Sequence, residues 1–446
     1  MTQVKAAGWA ALAGAVEEVA LPPSARYETL RRPADPRFDH VRPLAVVRCA
    51  TPDGVAAAIR FARDAGLPAV LRGGGHDFAG RSTTTGIVID LAPMDTVTVT
   101  GGTARVGAGA RLGHVYDALA AHGRTVPAGC GPDVGIAGLT LGGGLGVLGR
   151  RHGLTCDQLL AAEVVLADGR VVTCDEHTHP DLFWALRGGT GRFGAVTAFT
   201  FATVPAPALH SFRLTWPGRS APALLEAWQA WAPAAPDDVA ASLHLVVPAD
   251  PARPPHATVV GTLALRPGLL DDLVAAVGRP LSDERRRATH RETKRILAAA
   301  DEGLRGAYTW MRSGFVGRAL PGDAVAALTR HLFDGRRPGQ RRMLDLMPMG
   351  GAYNRVPAQA TAFVHRAELF LLQHIVAADP GDSSAALDWL AGSDRLAAPW
   401  RSGGVYQNFP DPDLPDAAAA YFGANLPRLR RVKAQYDPDG IFGLYA

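Results

Sequence analysis

The chain has 446 residues, of which 47% are hydrophobic and 20% are charged, and its formal net charge is +4. At roughly 100–200 residues per domain, this length predicts two or three domains with enough chain to build a large core. The arginines supply most of the positive charge, but they are spread along the chain and form no basic stripe. We therefore expect no nucleic-acid partner, because such binding requires a clustered basic surface.

Glycine is over-represented, with 50 residues, which is about 11% against a usual ~7%. Neither a Gly-X-Y repeat nor a low-complexity block is present, which excludes collagen and a disordered linker. The excess lies in short runs: Gly73–Gly75, Gly142–Gly144, Gly188–Gly189, Gly350–Gly351 and Gly403–Gly404. Because glycine lets other groups approach the backbone closely, these runs indicate close contacts between the main chain and a ligand.

Cysteine and histidine spacing argues against a metal site. No CxxC pair is formed by the cysteines, Cys49, Cys130, Cys156 and Cys174. Metal-ligand partners at helical spacing are missing for His114, His152, His177 and His179. The apolar N-terminal patch ends at two glutamates and is too short to span a bilayer. We predict a surface helix over Thr2–Val19, a cytoplasmic protein and no membrane partner.

The first 207 residues alternate short strands with helices. Thr51 and Pro52 form a typical helix start, with Thr51 as the N-cap, and Gly66 ends this helix. Asp168-Gly169 predicts a two-residue turn in a hairpin over Glu163–Val172. Other predicted elements are strands at Val46–Val47, Val70–Arg72, Ile87–Leu91, Ala104–Val106 and Phe199–Val204, and a helix at Leu112–His122.

From about Leu209 to Arg401 strand-like and helical runs alternate, which predicts a second α+β domain. Its clearest elements are strands at Ser242–Val247 and Thr258–Leu265 and helices at Leu224–Trp231 and Ala324–Phe333. A last helix is predicted over Ala417–Tyr436, before a loop at Asp437–Ala446. We predict three parts of the chain, with boundaries at 1–207, 208–405 and 406–446.

Three glycine segments indicate a ligand. In Arg72–Gly80, three glycines follow a strand, so that backbone N–H groups can surround a pyrophosphate. This segment is neither a P-loop nor a G-x-G-x-x-G that opens a helix, and alone it favours a glycine turn with a surface histidine. The segment Gly129–Gly146 holds eight glycines, which a large flat ligand against the main chain would explain. The third segment, Trp184–Thr197, is a glycine turn leading into a strand.

Together and in this order, these segments resemble those of the berberine-bridge-enzyme-like flavoprotein oxidases, which have the vanillyl-alcohol-oxidase type of FAD-binding fold. The resemblance covers nearly the whole chain and is clearest at Arg72–Gly80, Val134–Asp157, Asp181–Gly189, Gly404–Phe409 and Tyr421–Pro438. It implies a two-domain α+β flavoprotein. FAD is bound by residues 1–207, an antiparallel sheet covered by helices binds substrate at 208–405, and residues 406–446 return to the FAD-binding domain.

The resemblance also implies how FAD is attached. In such flavoproteins the histidine of the first glycine motif is joined to the flavin 8α-methyl carbon, and His76 matches that position. Many members add a link from a cysteine to flavin C6, but here Gly131 stands at that position and Cys130 lies one residue earlier. Two alternatives stay open: the loop shifts so that Cys130 is linked to C6, or the flavin is held by His76 alone.

Other positions also depart from the family pattern. Leu139 and Leu145 stand where some relatives have His and Tyr, and Gly440 stands where Asn is frequent. The two leucines remove polar groups beside the flavin ring. The cofactor-binding residues that the resemblance implies are Arg72, Gly73, Gly74, Gly75, His76, Asp77, Gly129, Cys130, Gly131, Val134, Gly135, Gly138, Leu139, Gly143, Gly144, Gly146, Gly194, Val196 and Asn408.

Tyr406, in the pattern Tyr-x-Asn, is the predicted catalytic base. A phenol has an unperturbed pKa of about 10, so a neighbouring arginine or local dipoles must lower it for general-base catalysis. We expect Asn408 to share a strand face with Tyr406 and to bind flavin or substrate. The alternatives are a core tyrosine and an exposed strand-end asparagine. Tyr353 and Arg366 are predicted to line the substrate pocket, and Asp157 to fix the loop after the long glycine segment.

The resulting hypothesis is an FAD-dependent oxidase or dehydrogenase that takes hydride from a substrate alcohol, a secondary metabolite or sugar-like compound, with O2 as acceptor. One alternative is oxidative cyclisation or desaturation of an alkaloid- or polyketide-like metabolite, which the apolar side chains of Leu139 and Leu145 favour. Another is a flavin-binding protein that has lost its activity. The expected partners are a small-molecule substrate and O2, and the chain is expected to be a monomer or homodimer.

Overall fold

A computed structural model describes residues 6–264, 268–299 and 308–443. The first elements are α1 Ala6–Ala13, β1 Glu18–Ala20, α2 Ala25–Leu30, β2 Ala45–Arg48, α3 Pro52–Asp64, β3 Ala69–Arg72 and β4 Ile87–Asp90. The strands form a sheet in the order β1-β2-β4-β3, in which β2 and β3 run parallel to β4 and β1 is antiparallel to β2. Every residue of β4 is buried, as expected for a central parallel strand with both faces covered.

The N-terminal helix is shorter than predicted. Within the predicted range Thr2–Val19, helix α1 ends at Ala13, and the chain then enters β1; Thr2–Lys5 lies outside the described residues. Glu18 stands opposite Arg48 in the register, and an ion pair of 3.3 Å joins the two side chains. The helical prediction is wrong beyond Ala13, because pairing with a distant strand outweighs local apolar periodicity.

Helix α3 begins and ends as predicted. The Thr51 hydroxyl accepts a hydrogen bond of 3.1 Å from the Gly54 N–H, which satisfies one of the free donors of the first turn. Gly66, just beyond the helix, has φ +62°, a conformation that favours glycine. Val55 and Ile59 lie on the buried face of the helix and join the first apolar core.

Residues 6–205 form one structural unit, which we call the first block, and a second sheet completes it. Its elements are β5 Val97–Thr100, β6 Thr103–Gly107, α4 Leu112–Ala120, β7 Arg124–Thr125, α5 Ile136–Leu141, α6 Gly149–His152, β8 Leu159–Val165, β9 Val171–Asp175, α7 Pro180–Leu186, β10 Ala195–Ala202 and β11 Val204–Pro205. The sheet order is β5-β6-β10-β8-β9, while β7 pairs with β11. The predicted hairpin is confirmed, since Val165 pairs with Val171. Its turn has three residues, 167–169, and not two, because the Leu166 N–H donates to the Arg170 carbonyl at 2.9 Å, and Gly169 with φ +86° supplies the left-handed position.

The middle of the chain builds a seven-stranded antiparallel sheet. Its elements are β12 Leu209–Pro217, α8 Ala221–Trp231, β13 Val239–Val247, β14 His256–Leu263, α9 Leu269–Val277, β15 Ser282–Ala288, α10 His290–Ala299, β16 Tyr308–Val316, α11 Gly322–Phe333, β17 Arg341–Pro348, α12 Ala352–Arg355, β18 Phe370–Ala378 and α13 Ser383–Ala397. The order is β15-β12-β14-β13-β17-β18-β16. The predicted strand over Thr258–Leu265 corresponds to β14, and Leu265 lies outside the described residues.

This sheet has one face for its core and one for a ligand. Side chains alternate between the faces of a strand, and on β13 Leu243 and Leu245 join the apolar core with helices α8, α11 and α13. His244, between them, lines a cavity on the opposite face. Helices α8, α11 and α13 cover the apolar face, while the other face, with Leu297 and Ala298 of α10 beside it, closes a site against the first block.

The C-terminal part packs on the first block. The predicted helix Ala417–Tyr436 is two helices, α14 Ala417–Phe422 and α15 Leu426–Tyr436, because Gly423 between them has φ +44°. Leu429 of α15 lies in the first apolar core. The overall architecture is α+β, as predicted, while the domain boundaries at 207/208 and 405/406 stay predictions. Among the described residues, no helix has both the length and the apolar character needed to cross a membrane.

Candidate functional site

One cavity of about 990 Å³ lies between the glycine segments of the first block and the inner face of the seven-stranded sheet. Its lining comes from residues 69–83, 129–147, 190–196 and 406–409, together with strands β13, β17 and β18. This volume is at the upper end of small-molecule sites. The site is therefore assembled from segments that are up to about three hundred residues apart in sequence, brought together by the docking of the sheet on the first block.

The first glycine segment continues from β3 along the cavity and carries His76 into its lining. A Cβ on Gly74 would lie 2.3 Å from the backbone nitrogen of Gly135, so two glycine segments pass each other in direct backbone contact. The carboxylate of Asp77 accepts hydrogen bonds from the Ala79 and Arg81 N–H groups, and it thereby closes the loop that follows His76. Gly74 must therefore be glycine because the two chain segments pack against each other here, before any contact with a ligand is considered.

The second glycine segment divides into two parts. Gly129, Cys130, Gly131, Val134, Gly135, Gly138, Leu139 and Gly146 line the cavity, as do Arg72, Gly73, Gly74, Gly75, Asp77, Gly194, Val196 and Asn408 of the other predicted sites. A Cβ on Gly138 would meet no atom within 4 Å, so this residue leaves open space along the wall. Gly143 and Gly144 lie behind the wall, where a Cβ would strike Phe363 and Thr155, respectively. The prediction that these two glycines bind the cofactor is not supported, because they do not line the cavity.

Tyr406 lies at the centre of this wall with its hydroxyl buried. Its oxygen accepts hydrogen bonds from the N–H groups of Gly144 and Leu145, at 3.0 and 3.3 Å, and from the Asn408 amide at 3.0 Å. Burial raises the pKa of Tyr406 to about 12, and the same three donors act against this rise because they favour the phenolate. The surroundings thus supply donors where a negative oxygen would need them.

The backbone around Tyr406 is a turn and not a strand, so the predicted shared strand face is wrong. The Phe409 N–H donates to the Tyr406 carbonyl at 2.9 Å and closes the turn. This turn brings Asn408 back onto Tyr406, and the second proton of its amide is donated to the Leu139 carbonyl at 3.0 Å. Asn408 therefore joins Tyr406 to the glycine segment.

The two predicted substrate residues differ in their surroundings. Tyr353 lines the cavity, and its hydroxyl donates to the Gly146 carbonyl at 2.8 Å and accepts from the Gly146 N–H at 3.0 Å. Arg366 does not line the cavity. Its guanidinium is buried and binds both carboxylate oxygens of Asp157 at 2.7 and 2.8 Å. The geometry therefore gives Arg366 a structural role and supports the expectation that Asp157 fixes its loop.

The inner sheet face contributes polar residues that sequence reasoning did not identify. His244, Asp345 and Gln373 stand directly opposite one another on β13, β17 and β18. The Gln373 amide donates to Asp345 at 3.0 Å, and the His244 ring nitrogen lies 3.4 Å from the other Asp345 oxygen. Apolar rows with Met343 and Met347 flank this polar row. The only signal in the sequence was a polar residue at an alternating position of each strand. That these three residues form one site follows only from the register of the strands.

The lining fits a large flavin cofactor. The buried polar atoms of lining residues that find no hydrogen-bond partner among the described residues include Arg72 Nη2, Thr83 Oγ1 and Thr190 Oγ1. Such atoms require a polar partner, which the pyrophosphate and ribityl hydroxyls of FAD provide. Burial lowers the pKa of the Arg72 guanidinium, although this group remains a cation near neutral pH. At Gly138 no side chain projects from the wall, and the open space there suits a flat ring.

Two family models match the chain at the segments that form this site. The model described as "FAD binding domain" matches residues 43–175, and the model described as "Berberine and berberine like" matches residues 405–445. The chain belongs to the berberine-bridge-enzyme-like family of FAD-linked oxidoreductases. It is an FAD-dependent enzyme, which confirms the predicted family, fold and cofactor.

Individual relatives align over most of their length. The "Uncharacterized FAD-linked oxidoreductase YgaK" of Bacillus subtilis strain 168 is 33% identical over 89% of this chain and 89% of its own. The xylooligosaccharide oxidase of Thermothelomyces thermophilus is 31% identical over 94% of this chain and 89% of its own. The solved structure of glucooligosaccharide oxidase from Acremonium strictum, described with a 6-S-cysteinyl, 8α-N1-histidyl FAD, has a TM-score of 0.87 at 27% identity and covers 98% of both chains.

Proposed function

We propose that the protein oxidises an alcohol group of a small-molecule substrate, with Tyr406 as the catalytic base and O2 as the acceptor. The observation that carries this proposal is the hydroxyl of Tyr406, which lies in the cavity wall with three N–H donors directed at its oxygen. When bound, FAD supplies the hydride acceptor for the substrate carbon and passes the electrons on. The chain supplies the binding surface and the proton acceptor.

The proton step depends on the phenolate form of Tyr406. Its oxygen takes the proton of the substrate hydroxyl, and the donors from Gly144, Leu145 and Asn408 stabilise the negative oxygen beforehand. Since the pKa of Tyr406 is raised to about 12 by burial, only a small fraction is ionised near neutral pH. We therefore expect the rate of substrate oxidation to rise with pH across the neutral and mildly alkaline range.

His76 is the proposed point of covalent attachment. It lies in the cavity lining, and the glucooligosaccharide oxidase with a comparable fold is described with a histidyl link. For the second link, Cys130 and Gly131 both line the cavity, and a Cβ at Gly131 would lie 3.0 Å from the Val134 side chain. Both the single and the double link remain compatible with this lining. Flavin absorbance of acid-precipitated protein, with peptide mapping, distinguishes them.

The remaining predicted cofactor-binding residues form the proposed FAD surface: Arg72, Gly73, Gly74, Gly75, Asp77, Gly129, Val134, Gly135, Gly138, Leu139, Gly146, Gly194, Val196 and Asn408. The substrate is proposed to lie against the opposite wall, near Tyr353. The polar row His244, Asp345 and Gln373 on this wall favours a substrate with several hydroxyl groups, as do the named activities of the oligosaccharide oxidases.

A second candidate function is oxidative cyclisation or desaturation of an apolar metabolite. Met343 and Met347 flank the polar row, and Leu139 and Leu145 line the opposite wall, so part of the cavity is apolar. The NMR spectrum of the product separates the two functions: all of these oxidations remove two hydrogens, but oxidation of an alcohol forms a new carbonyl group, whereas the alternative forms a new ring or a carbon–carbon double bond. We also propose a cytoplasmic location, for which four free cysteines among the described residues are the support. For the oligomeric state, we propose a monomer or a homodimer.

The decisive experiment compares Tyr406→Phe with wild type in an anaerobic stopped-flow measurement of flavin bleaching. We expect a loss of at least about a hundredfold in the rate at saturating substrate, since general-base catalysis contributes typically 10²–10⁴-fold. Tyr27→Phe is the matched control, since Tyr27 is buried in a separate apolar cluster and donates to the Pro43 carbonyl, and neither residue lines the cavity. A full rate in Tyr406→Phe would remove Tyr406 from this role.

A further inference from the structure

Two consecutive peptide units are directed at Tyr406. The Gly143–Gly144 peptide presents its N–H to the Tyr406 hydroxyl oxygen at 3.0 Å, and the Gly144–Leu145 peptide presents its N–H to the same oxygen at 3.3 Å. Gly143 and Gly144 have φ of +120° and +91°, which only glycine adopts readily. The backbone at this point is thus shaped to place two dipoles on one oxygen.

The carbonyl ends of the same two peptides are held from behind. Gly143 O accepts from the Cys156 N–H at 2.9 Å, and Gly144 O accepts from the Thr155 N–H at 3.0 Å and from its hydroxyl at 3.2 Å. Because a peptide is planar and trans, fixing the C=O direction also fixes the direction of the N–H. Hydrogen bonds at both ends of a peptide also polarise each other, so the donors strengthen the N–H groups that face Tyr406.

The turn that supplies these donors is itself fixed by a buried ion pair. Asp157 accepts from the Leu154 N–H at 2.8 Å and pairs with Arg366 through two hydrogen bonds of 2.7 and 2.8 Å. The side chains of Arg366 and Asp157 are only 3% and 8% exposed. Arg366 is also held by the Thr361 hydroxyl, at 3.0 Å. The orientation of the turn is therefore set by a group that does not touch the cavity.

We propose that Thr155 and the Arg366–Asp157 pair are positioning residues that hold two backbone N–H groups on the Tyr406 oxygen and thereby stabilise its phenolate. This inference rests on the proposed role of Tyr406 as the base. The other ionisable groups that face Tyr406 are Cys156 and Tyr353, and Asp345 and His244 lie across the cavity. None of these groups is altered in the test.

The test compares Thr155→Val with Thr155→Ser in the flavin-loaded enzyme. Valine keeps the shape of threonine but loses the hydroxyl, whose single proton is shared between Pro127 O at 2.7 Å and Gly144 O at 3.2 Å, whereas serine keeps it. A buried hydrogen bond contributes roughly 0.5–1.5 kcal/mol of stabilisation, which is lost when its donor is removed. We expect Thr155→Val to oxidise substrate about three- to tenfold more slowly at neutral pH, with its pH profile displaced to higher pH and KM within about twofold of wild type. Thr155→Ser should restore the wild-type profile.

A spectroscopic readout measures Tyr406 without turnover. The protein is labelled with tyrosine carrying ¹³C at the ring carbon that bears the hydroxyl, and the Tyr406 signal, among eight tyrosines, is assigned from its loss in Tyr406→Phe. In Thr155→Val, titration of this signal should begin at a higher pH than in wild type. Arg366→Met leaves the Asp157 carboxylate buried without its partner and can unfold the protein. The threonine pair therefore carries the test, and Arg366→Met is measured where it folds.

The outcomes separate this inference from the proposed function. If Tyr406→Phe is inactive but Thr155→Val keeps both the wild-type pH profile and the wild-type tyrosine titration, the positioning role is refuted and the base remains. If Tyr406→Phe keeps full activity, the proposed function itself fails. A slower Thr155→Val that serine does not rescue, with an unchanged profile, indicates a packing defect and also refutes the positioning role.

Discussion

Replacement of Asn408 by leucine should weaken the base without removing it. The Asn408 amide donates to the Tyr406 oxygen at 3.0 Å, and leucine of similar size cannot donate. A hydrogen bond to a charged oxygen contributes about 1.5–3 kcal/mol, and one pKa unit corresponds to about 1.4 kcal/mol. The variant should therefore raise the pKa of Tyr406 by about one to two units and lower the rate near neutral pH about 10- to 100-fold.

The assay is anaerobic flavin bleaching across a pH series, with wild type and Asn408→Leu measured in parallel. Since Asn408 also donates to the Leu139 carbonyl at 3.0 Å, part of its effect is structural. A double-mutant cycle isolates the part that acts through the hydroxyl. In a Tyr406→Phe background, Asn408→Leu should have little further effect. An equal loss in both backgrounds would refute the reasoning, because Asn408 would then act independently of the Tyr406 oxygen.

Three further predictions concern stability and cofactor binding. Burial lowers the pKa of His365 to about 4. Its contribution to stability is therefore complete above its unfolded pKa of about 6.5 and is lost as the pH falls towards 4. In urea unfolding, the free energy of unfolding should fall by roughly 3 kcal/mol over this pH range, and His365→Gln should lack this fall. Gly138→Leu should fill open space in the cavity wall and abolish flavin incorporation, measured as flavin absorbance per protein, with Gly138→Ala giving a smaller loss. Thr51→Ala should lower the free energy of unfolding by about 1 kcal/mol in chemical denaturation, and Thr51→Ser should not.

Clear results would contradict each of these predictions. An acid dependence of unfolding that is the same with and without His365 would show that its burial is not linked to stability. Full flavin content in Gly138→Leu would place the cofactor away from this wall. Equal stability of the alanine and serine variants at Thr51 would show that the hydroxyl does not cap α3.

Features that depend on neighbouring residues were predicted well. The N-cap at Thr51 and the hairpin around Gly169 form from a few consecutive residues, so their chemistry is complete in the local sequence, although the turn is one residue longer than predicted. The family resemblance added the flavin site, and three of the five segments that carry it, Arg72–Gly80, Val134–Asp157 and Gly404–Phe409, contribute to the lining of one cavity. Within the long glycine segment the local pattern was not sufficient, since Gly138 faces the cavity while Gly143 and Gly144 lie behind it.

Features that depend on distant partners could not be derived from the pattern. Glu18 belongs to a strand because Arg48 stands opposite it, and this pairing is invisible in the residues around Glu18. Arg366 was predicted to face substrate, but a cation of this kind can equally bind a buried carboxylate, and the fold places Asp157 beside it. The polar row at Asp345 required the register of three strands.

By itself, the sequence determined, through its family resemblance, that this is an α+β flavoprotein, and it showed the caps and turns that act over short stretches of chain. Only the tertiary structure decided which of the glycines face the cavity and which hold the chain behind it. It also decided that Tyr406 meets the N–H groups of Gly144 and Leu145, about 260 residues away. Such contacts depend on the docking of the C-terminal segment and the sheet against the first block, and packing of this kind leaves no periodic trace in the sequence.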